Sequence, residues 1–407
     1  MARSFVVGPE TVRMLELGHP WVIADRYTRR WPQARAGEVA ALTDEGGRFL
    51  ATALLDPGDR VAARVLAFSP IRLDGDWLRT QLTQAVARRR QADLSATNAL
   101  RLVNGEGDGL PGLVVERFAD FLLVQLYARS WEAHLDLLTA VLAETVRPAG
   151  IYLKTRPRQT RELAAKGQTG KLGRLVWGQK ASFPLPVIEN SLTFLVDLQE
   201  GLHTGLFLDQ RRNRQDFMAR VGGRRVLNLF AFTGAFSVAA VAAGARQVTS
   251  VDAAGAYLDR AAENFRANDI DPRKHEFLTG DCFRVLEELV RAKRRFDVVL
   301  MDPPSFSTTR QSRFTTRGGT SELVAQALRL LPNGGLLICS SNHQKVDLAD
   351  FLKEIRRGAL QAKRELRVLA TFAQPEDFPF SVTFPEGRYL KYLVMEAGGV
   401  PADGPGG

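Results

Sequence analysis

The sequence predicts an α/β protein whose C-terminal half is a doubly wound sheet, preceded by a small N-terminal β domain and a middle α+β domain. Three observations predict it. From about residue 191 onward, apolar strand-like runs alternate with segments of helical period, the pattern of βαβ units with helices on both faces of a sheet. Residues 1–70 instead carry short alternating runs, Val39–Thr43, Phe49–Leu55 and Val61–Ala67, separated by Asp/Gly turns. Between them, Asp74 to about Asn98 has helical period, with Leu78, Leu82, Ala85 and Val86 on one face. A turn cluster at Leu102–Gly112, the apolar run Phe121–Tyr127 and a helix over about 131–145 complete the middle domain. The expected boundaries are 1–70, 71–190 and 191–397, with a Gly/Pro-rich disordered tail over 398–407.

With 407 residues, 45% hydrophobic and 25% charged, the chain can bury ordinary cores. Met1–Glu10 lacks the apolar core of a signal peptide, and no uncharged stretch approaches the roughly 18 residues of a membrane span. A cytoplasmic protein without membrane contact is expected. Only Cys282 and Cys339 are present, too few for a disulfide framework or a structural zinc site, and no metal is expected. A net charge of +10 suits a polyanionic partner. Composition alone fits equally a basic surface unrelated to binding, but the charges cluster. Arg29–Arg30, Arg88–Arg90, Lys154–Arg158, Arg211–Arg214 and Arg291–Arg295 lie in separate segments, as an extended track for a phosphate backbone requires.

Four elements of the last domain follow in order. The apolar run Val226–Phe230 leads into Ala231–Phe232–Thr233–Gly234, where a residue without a Cβ lets the backbone approach a ligand. Asp252 closes the next strand, where a carboxylate accepts both hydroxyls of a ribose. Asp281 ends a third strand, placed to accept an adenine amino group, and Asp302 leads a rigid Pro303–Pro304 turn after the buried strand Phe296–Met301. This order is the layout of an S-adenosylmethionine site. A nicotinamide site would show G-x-G-x-x-G after the first strand, and Asn228–Gly234 does not.

His19–Val22, Gly105–Leu113, Thr204–Arg211, Asn228–Gly234, Asp302–Phe306 and Phe384–Lys391 together carry a resemblance over nearly the whole chain. It resembles the bacterial large-subunit rRNA methyltransferases that join an N-terminal PUA domain to a Rossmann-like class I methyltransferase domain. The best-known members make 5-methylcytosine in 23S rRNA. The resemblance implies that the N-terminal domain binds RNA, that 23S rRNA or the large subunit is the partner, and that Leu208–Arg211 line the cofactor site. From the residues alone, Asp209–Arg214 reads as a charged helix start, and His19 and Trp21 as a packed turn. The cofactor contacts thus expected are Asp209, Gln210, Arg211, Asn228, Phe230, Thr233, Gly234, Asp252, Asp281, Cys282 and Asp302. A homodimer is left open.

Carbon 5 of cytosine is a poor nucleophile, so enzymes that methylate it first attack carbon 6 with a thiolate. By resemblance that cysteine belongs in a Ser-Cys-Ser segment just after the fifth strand. Here Ser341–Asn342–His343 occupies it, Asn342 stands in the cysteine slot, and Cys339 lies three residues earlier. The resemblance makes cytosine carbon-5 methylation of 23S rRNA the expected reaction, and these residues keep a second chemistry open as the alternative. Either Cys339 is the nucleophile, or Cys339 is a small apolar strand residue and the methyl goes directly to a base nitrogen. For direct transfer Asp302 accepts a hydrogen bond from the base, Pro303 and Pro304 hold the loop and Phe306 stacks on a flipped base. His343 reads as a loop residue, Cys282 as a cofactor contact at best, and Arg310, Arg313 and Arg317 as a basic loop able to close over RNA. An RNA-binding protein with an inactive cofactor fold is the rival, and it would have no need of three acids at strand ends.

Overall fold

A computed structural model describes residues 3–90, 94–155, 172–304, 307–308, 313–314 and 319–399. The contacts divide the chain into two units, Met1–Ile188 with Val196–Thr204 and Glu376–Gly387, and Glu189–Leu195 with Gly205–Pro375 and Arg388–Gly407.

The first unit holds two five-stranded sheets. One runs, in spatial order, Ser4–Val6, Val39–Thr43, Phe49–Leu55, Val61–Ala67 and Trp21–Ile23. The other runs Gly173–Gly178, Gly150–Thr155, Phe121–Leu126, Leu113–Phe118 and Ala99–Asn104. Between them in sequence, the helix Gly75–Arg89 starts at Asp74, whose carboxylate accepts the Trp77 amide at 3.1 Å, and buries Leu78, Leu82 and Ala85. Its core includes Leu54 and Leu66 from the N-terminal sheet, so the two sheets share apolar packing.

Three of the sequence signatures meet in this unit. Trp21 packs on Phe384 with ring centroids 4.7 Å apart and donates its indole N–H to Glu106 at 2.7 Å. Arg89 is buried and bidentate to Asp108 at 2.6 and 2.7 Å, and also donates to the Asp377 carbonyl at 2.8 Å. Gly107 must be glycine, because a Cβ there would stand 1.9 Å from the Pro379 carbonyl oxygen. These ties take one residue out of each of two clusters of the expected phosphate track: Arg89 is bound to an internal carboxylate while Arg88 and Arg90 stay exposed, and buried Lys154 donates to the Glu200 carbonyl at 3.2 Å. Arg156, Arg158 and Arg161 lie outside the described residues.

The second unit is built on a seven-stranded sheet. Its strands are β1 Arg225–Leu229, β2 Gln247–Asp252, β3 Glu276–Thr279, β4 Val298–Met301, β5 Leu336–Ser341, β6 Leu366–Phe372 and β7 Lys391–Ala397. The spatial order is β3-β2-β1-β4-β5-β7-β6, parallel from β3 to β5, with β7 antiparallel to β5 and β6 antiparallel to β7. The helices are α1 Arg211–Met218, α2 Ala235–Ala242, α3 Gly255–Arg266, α4 Cys282–Arg291, α5 Gly319–Leu330 and α6 Leu348–Gln361.

Because side chains alternate along a strand, each face of the sheet receives its own core. Leu227, Val299, Met301, Leu337, Cys339, Leu393 and Met395 meet Leu286, Leu323 and Phe351 of α4, α5 and α6. Val226, Val298, Leu300, Leu336, Ile338 and Tyr392 meet Phe217 of α1 and Phe236 of α2. The connection from β1 runs to β2 on one side, while β4 flanks it on the other. The C-terminal ends of β1 and β4 are therefore a topological switch point, the place where open α/β sheets characteristically bind ligands. Among the described residues no helix is long and apolar enough to cross a membrane.

Candidate functional site

Beyond β1 the backbone turns through Phe230 at φ 58° and Phe232 at φ 50°, both left-handed, and Gly234 at φ 75°. A non-glycine residue pays roughly 1–3 kcal/mol for that region, so surrounding structure must hold it. It does so at both ends. Asp252, at the end of β2, accepts the Phe232 amide on Oδ2 and the Ala254 amide on Oδ1, each at 2.9 Å. The Phe232 ring sits 4.5 Å from Tyr257 and 5.3 Å from Phe207, centroid to centroid, while Thr233 donates its hydroxyl to the Gly205 carbonyl. Burial raises the Asp252 carboxyl above its ordinary value, and these backbone amides oppose the rise.

Gly234 meets a packing demand of its own, whatever its part in admitting a ligand. A Cβ there would lie 2.7 Å from the Ala261 Cβ of α3, so the glycine answers to its own φ and to a neighbouring helix. Asn228 turns inward as well: it donates to Ser237 of α2 at 2.9 Å, within a chain that continues to Ser250 at 2.8 Å. Asp281 caps α4, its Oδ1 accepting the Phe283 and Arg284 amides at 3.0 and 3.3 Å. Cys282 is the first residue of that helix and is buried among Leu229, Val251 and Leu286. Burial pushes its thiol up to about 12, against the pull of the Phe230 amide. Its side chain is a core element.

At the end of β4 the polar residues converge. Asp302 Oδ2 accepts from Gln210 Nε2 at 2.9 Å, and the same amide nitrogen donates to Ser340 Oγ on β5 at 2.9 Å. Asn213 of α1 donates to Gln210 Oε1 at 2.6 Å. Asp209 accepts the Tyr389 hydroxyl at 2.7 Å. Arg211 and Arg214 are buried, and Arg214 forms a bidentate pair with Glu189 at 2.6 and 2.8 Å. Neither arginine is on a phosphate track, which takes two more residues out of the expected one. Burial raises the Asp302 carboxyl to about 6, opposed by hydrogen bonds from Ser340 and Gln210 and by the Arg214 charge, and reinforced by the Asp209 charge.

Cys339 lies on the other side of the sheet. It pairs with Met301 and Leu393 across the neighbouring strands, and its side chain belongs to the core under α5 and α6, where burial drives its thiol far above the ordinary range. A thiol packed in that core faces away from Asp302, and this geometry weighs against Cys339 as the nucleophile. Asn342 is exposed just past β5. His343 next to it is buried and kept neutral by desolvation, its Nδ1 accepting the Lys345 amide at 3.1 Å and its carbonyl accepting Lys391 Nζ at 2.7 Å. Burial lowers Lys391 to about 8. Pro303 is buried and Pro304 exposed; Phe306, Arg310 and Arg317 lie outside the described residues, and at Arg313 only the backbone pairing with Thr308 is described.

Residues 109–386 match the family described as S-adenosylmethionine-dependent methyltransferase, and residues 5–68 match the PUA-like domain. The chain belongs to the S-adenosylmethionine-dependent methyltransferases. It is 33% identical over 92% of its length to ribosomal RNA large subunit methyltransferase I of Klebsiella pneumoniae, covering 93% of that protein. It is 34% identical over the same share to the protein of that name from Escherichia coli, covering 94% of it. Among solved structures, a methyltransferase complexed with SAH superposes with a TM-score of 0.87 at 27% identity, over 97% of this chain and 100% of that one.

In this methyltransferase two features at these strand ends suit the cofactor. A half-buried carboxylate at the end of β2 fits a ribose diol, and the left-handed Phe230–Phe232 turn is a strained backbone of the kind that accumulates at ligand sites. The sequence points to Asp252 and Asp302 through their place after apolar strands. It gives no sign of the left-handed phenylalanines, nor of Ser340 and Asn213, which enter the polar cluster only through strand parity and helix register.

Proposed function

We propose that this methyltransferase modifies a base of large-subunit ribosomal RNA, and that the acceptor is a base nitrogen rather than carbon 5 of cytosine. Support for the RNA comes from the PUA-like match and from the names of the relatives, ribosomal RNA large subunit methyltransferase I. One observation carries the acceptor: both cysteines are packed in the apolar core, and the group on the Asp302 face of β5 is Ser340. Without an accessible thiolate, no covalent activation of cytosine is available.

S-adenosylmethionine, when bound, supplies a methyl group on an electrophilic sulfonium. Asp252 would hold the ribose end and Asp302 the acceptor end. Above its raised titration point Asp302 is a carboxylate that accepts an N–H from the base, orients the nitrogen lone pair and receives the displaced proton. Pro303 and Pro304 restrict the loop that carries it.

The test is methyl transfer from labelled S-adenosylmethionine to large-subunit rRNA, followed by digestion to nucleosides and mass spectrometry. An N-methylated nucleoside, still formed by Cys339→Ser, is expected. Production of 5-methylcytosine, with covalent trapping on 5-fluorocytosine RNA and loss in Cys339→Ser, would overturn the nitrogen assignment.

A further inference from the structure

Gln210 is buried, uncharged and central to the polar cluster, yet a neutral amide neither donates a proton in catalysis nor binds a sulfonium strongly. Its geometry suggests another task. Its carbonyl oxygen is claimed by Asn213 Nδ2 at 2.6 Å, which leaves its NH2 group facing Asp302 Oδ2 and Ser340 Oγ, both at 2.9 Å. The opposite amide orientation would set two donors against each other at Asn213 and an oxygen against a carboxylate at Asp302, so the network fixes the rotamer. Ser340, which accepts from Gln210, also lowers the Asp302 carboxyl, so Ser340 and the Gln210 amide act on the same group.

We infer that Gln210 is a positioning residue for Asp302: clamped by Asn213, it fixes the rotation of the carboxylate and holds it ready to accept from the base. The assignment rests on the direct-transfer reading of Asp302 above. A neutral donor suits this task better than a cation. Lys or Arg at the same place would stabilise the carboxylate so strongly that its capacity to take a proton would fall, whereas an amide orients it at smaller loss of basicity. The other groups facing Asp302 are fixed by their own elements. Asp209 stands on the turn before α1, Arg214 on α1 is paired with Glu189, and Tyr392 on β7 is a buried phenol that burial keeps protonated. Among the described residues, the neutral side chains that lower the Asp302 carboxyl are Ser340 and Gln210.

The experiment measures kcat against pH on large-subunit rRNA for the wild type and for Gln210→Leu, with SAH affinity by calorimetry as the folding control. Removing a donor from a carboxylate moves the acid limb of the profile to higher pH, by about one unit, which is about a five-fold deficit at pH 6 that largely recovers at pH 8. The KM for S-adenosylmethionine stays near wild type. Asn213→Ala, which frees the amide to rotate, moves the limb the same way and serves if Gln210→Leu fails to bind SAH. A uniform loss at every pH with the limb unmoved overturns the positioning role alone. A wild-type profile with no acid limb overturns the Asp302 reading beneath it, and the inference with it.

Discussion

Cys339 and Ser340 are consecutive on β5, yet Ser340 accepts a 2.9 Å hydrogen bond from Gln210 on the side of Asp302 while Cys339 packs with Leu323 and Phe351 on the opposite face. Strand alternation makes this exclusive: a one-residue slip that exposed Cys339 to Asp302 would bury Ser340 in an apolar core and turn the rest of β5 over. Cys339→Ala should therefore leave kcat within about two- to three-fold of wild type. Its cost should fall on stability, about 1–2 kcal/mol for a small cavity, read as a lower Tm.

Asp302 should show a conflict between stability and activity. Folding raises its carboxyl from 3.8 to about 6, so the native state binds this proton more tightly than the unfolded chain does. The ionised form therefore costs stability at neutral pH, and that cost fades as pH falls through the window from about 6 to 3.8. Asp302→Asn keeps an acceptor for Gln210 and removes the charge. It should raise stability at pH 7 by about 1–2 kcal/mol, a figure reduced for partial exposure, and should abolish methyl transfer. Thermal denaturation at pH 7 and at pH 4.5 separates the two: the advantage should shrink at the lower pH.

Asp252 supports a backbone turn and is the proposed ribose ligand. Asp252→Ala should weaken SAH binding by about 1.5–3 kcal/mol, the usual loss of a charged hydrogen-bond partner. Because the same carboxylate accepts the Phe232 amide, this variant should also loosen the left-handed turn, visible as faster amide exchange at Phe232. Unchanged affinity in a calorimetric titration would refute the ribose assignment.

Gly234→Ala tests the packing explanation for that glycine. A methyl group 2.7 Å from Ala261 combined with φ 75° should destabilise the second unit by about 1–3 kcal/mol. Gly234→Ala paired with Ala261→Gly removes the clash and leaves only the φ strain. Full recovery of stability in the pair would show that backbone conformation contributes nothing, contrary to the structure.

Much of the cofactor end was legible because period-2 and helical apolar patterns locate strand ends, and acids at strand ends are local in sequence. Asp252 and Asp302 are of this kind. What escaped depends on facing and on distant partners. Whether Cys339 or Ser340 meets Asp302 is a question of strand parity relative to a neighbour whose own register the sequence does not declare. The cluster Arg211–Arg214 reads as solvent-facing charge until Glu189, twenty-five residues from Arg214, arrives to bury it. Likewise Asp108 claims Arg89 from across a turn, and Gly234 also makes room for α3, which its sequence position does not announce.

That internal use of arginine shapes the last prediction, which concerns the basic charge. Counterion release makes RNA affinity depend on salt in proportion to the phosphates that side chains neutralise, and only exposed cations can contribute. Arg29 and Arg30 are exposed, whereas Arg89 is buried against Asp108. The double variant Arg29→Ala, Arg30→Ala should reduce the slope of log affinity against log salt by about 1–2 and leave Tm unchanged. Asp108→Ala should do the reverse. It strands a buried guanidinium and should cost about 3–5 kcal/mol of stability, while molecules that remain folded keep the wild-type salt slope. If Arg29 and Arg30 can be removed with no change in slope, the N-terminal turn that carries them is not where the phosphates bind.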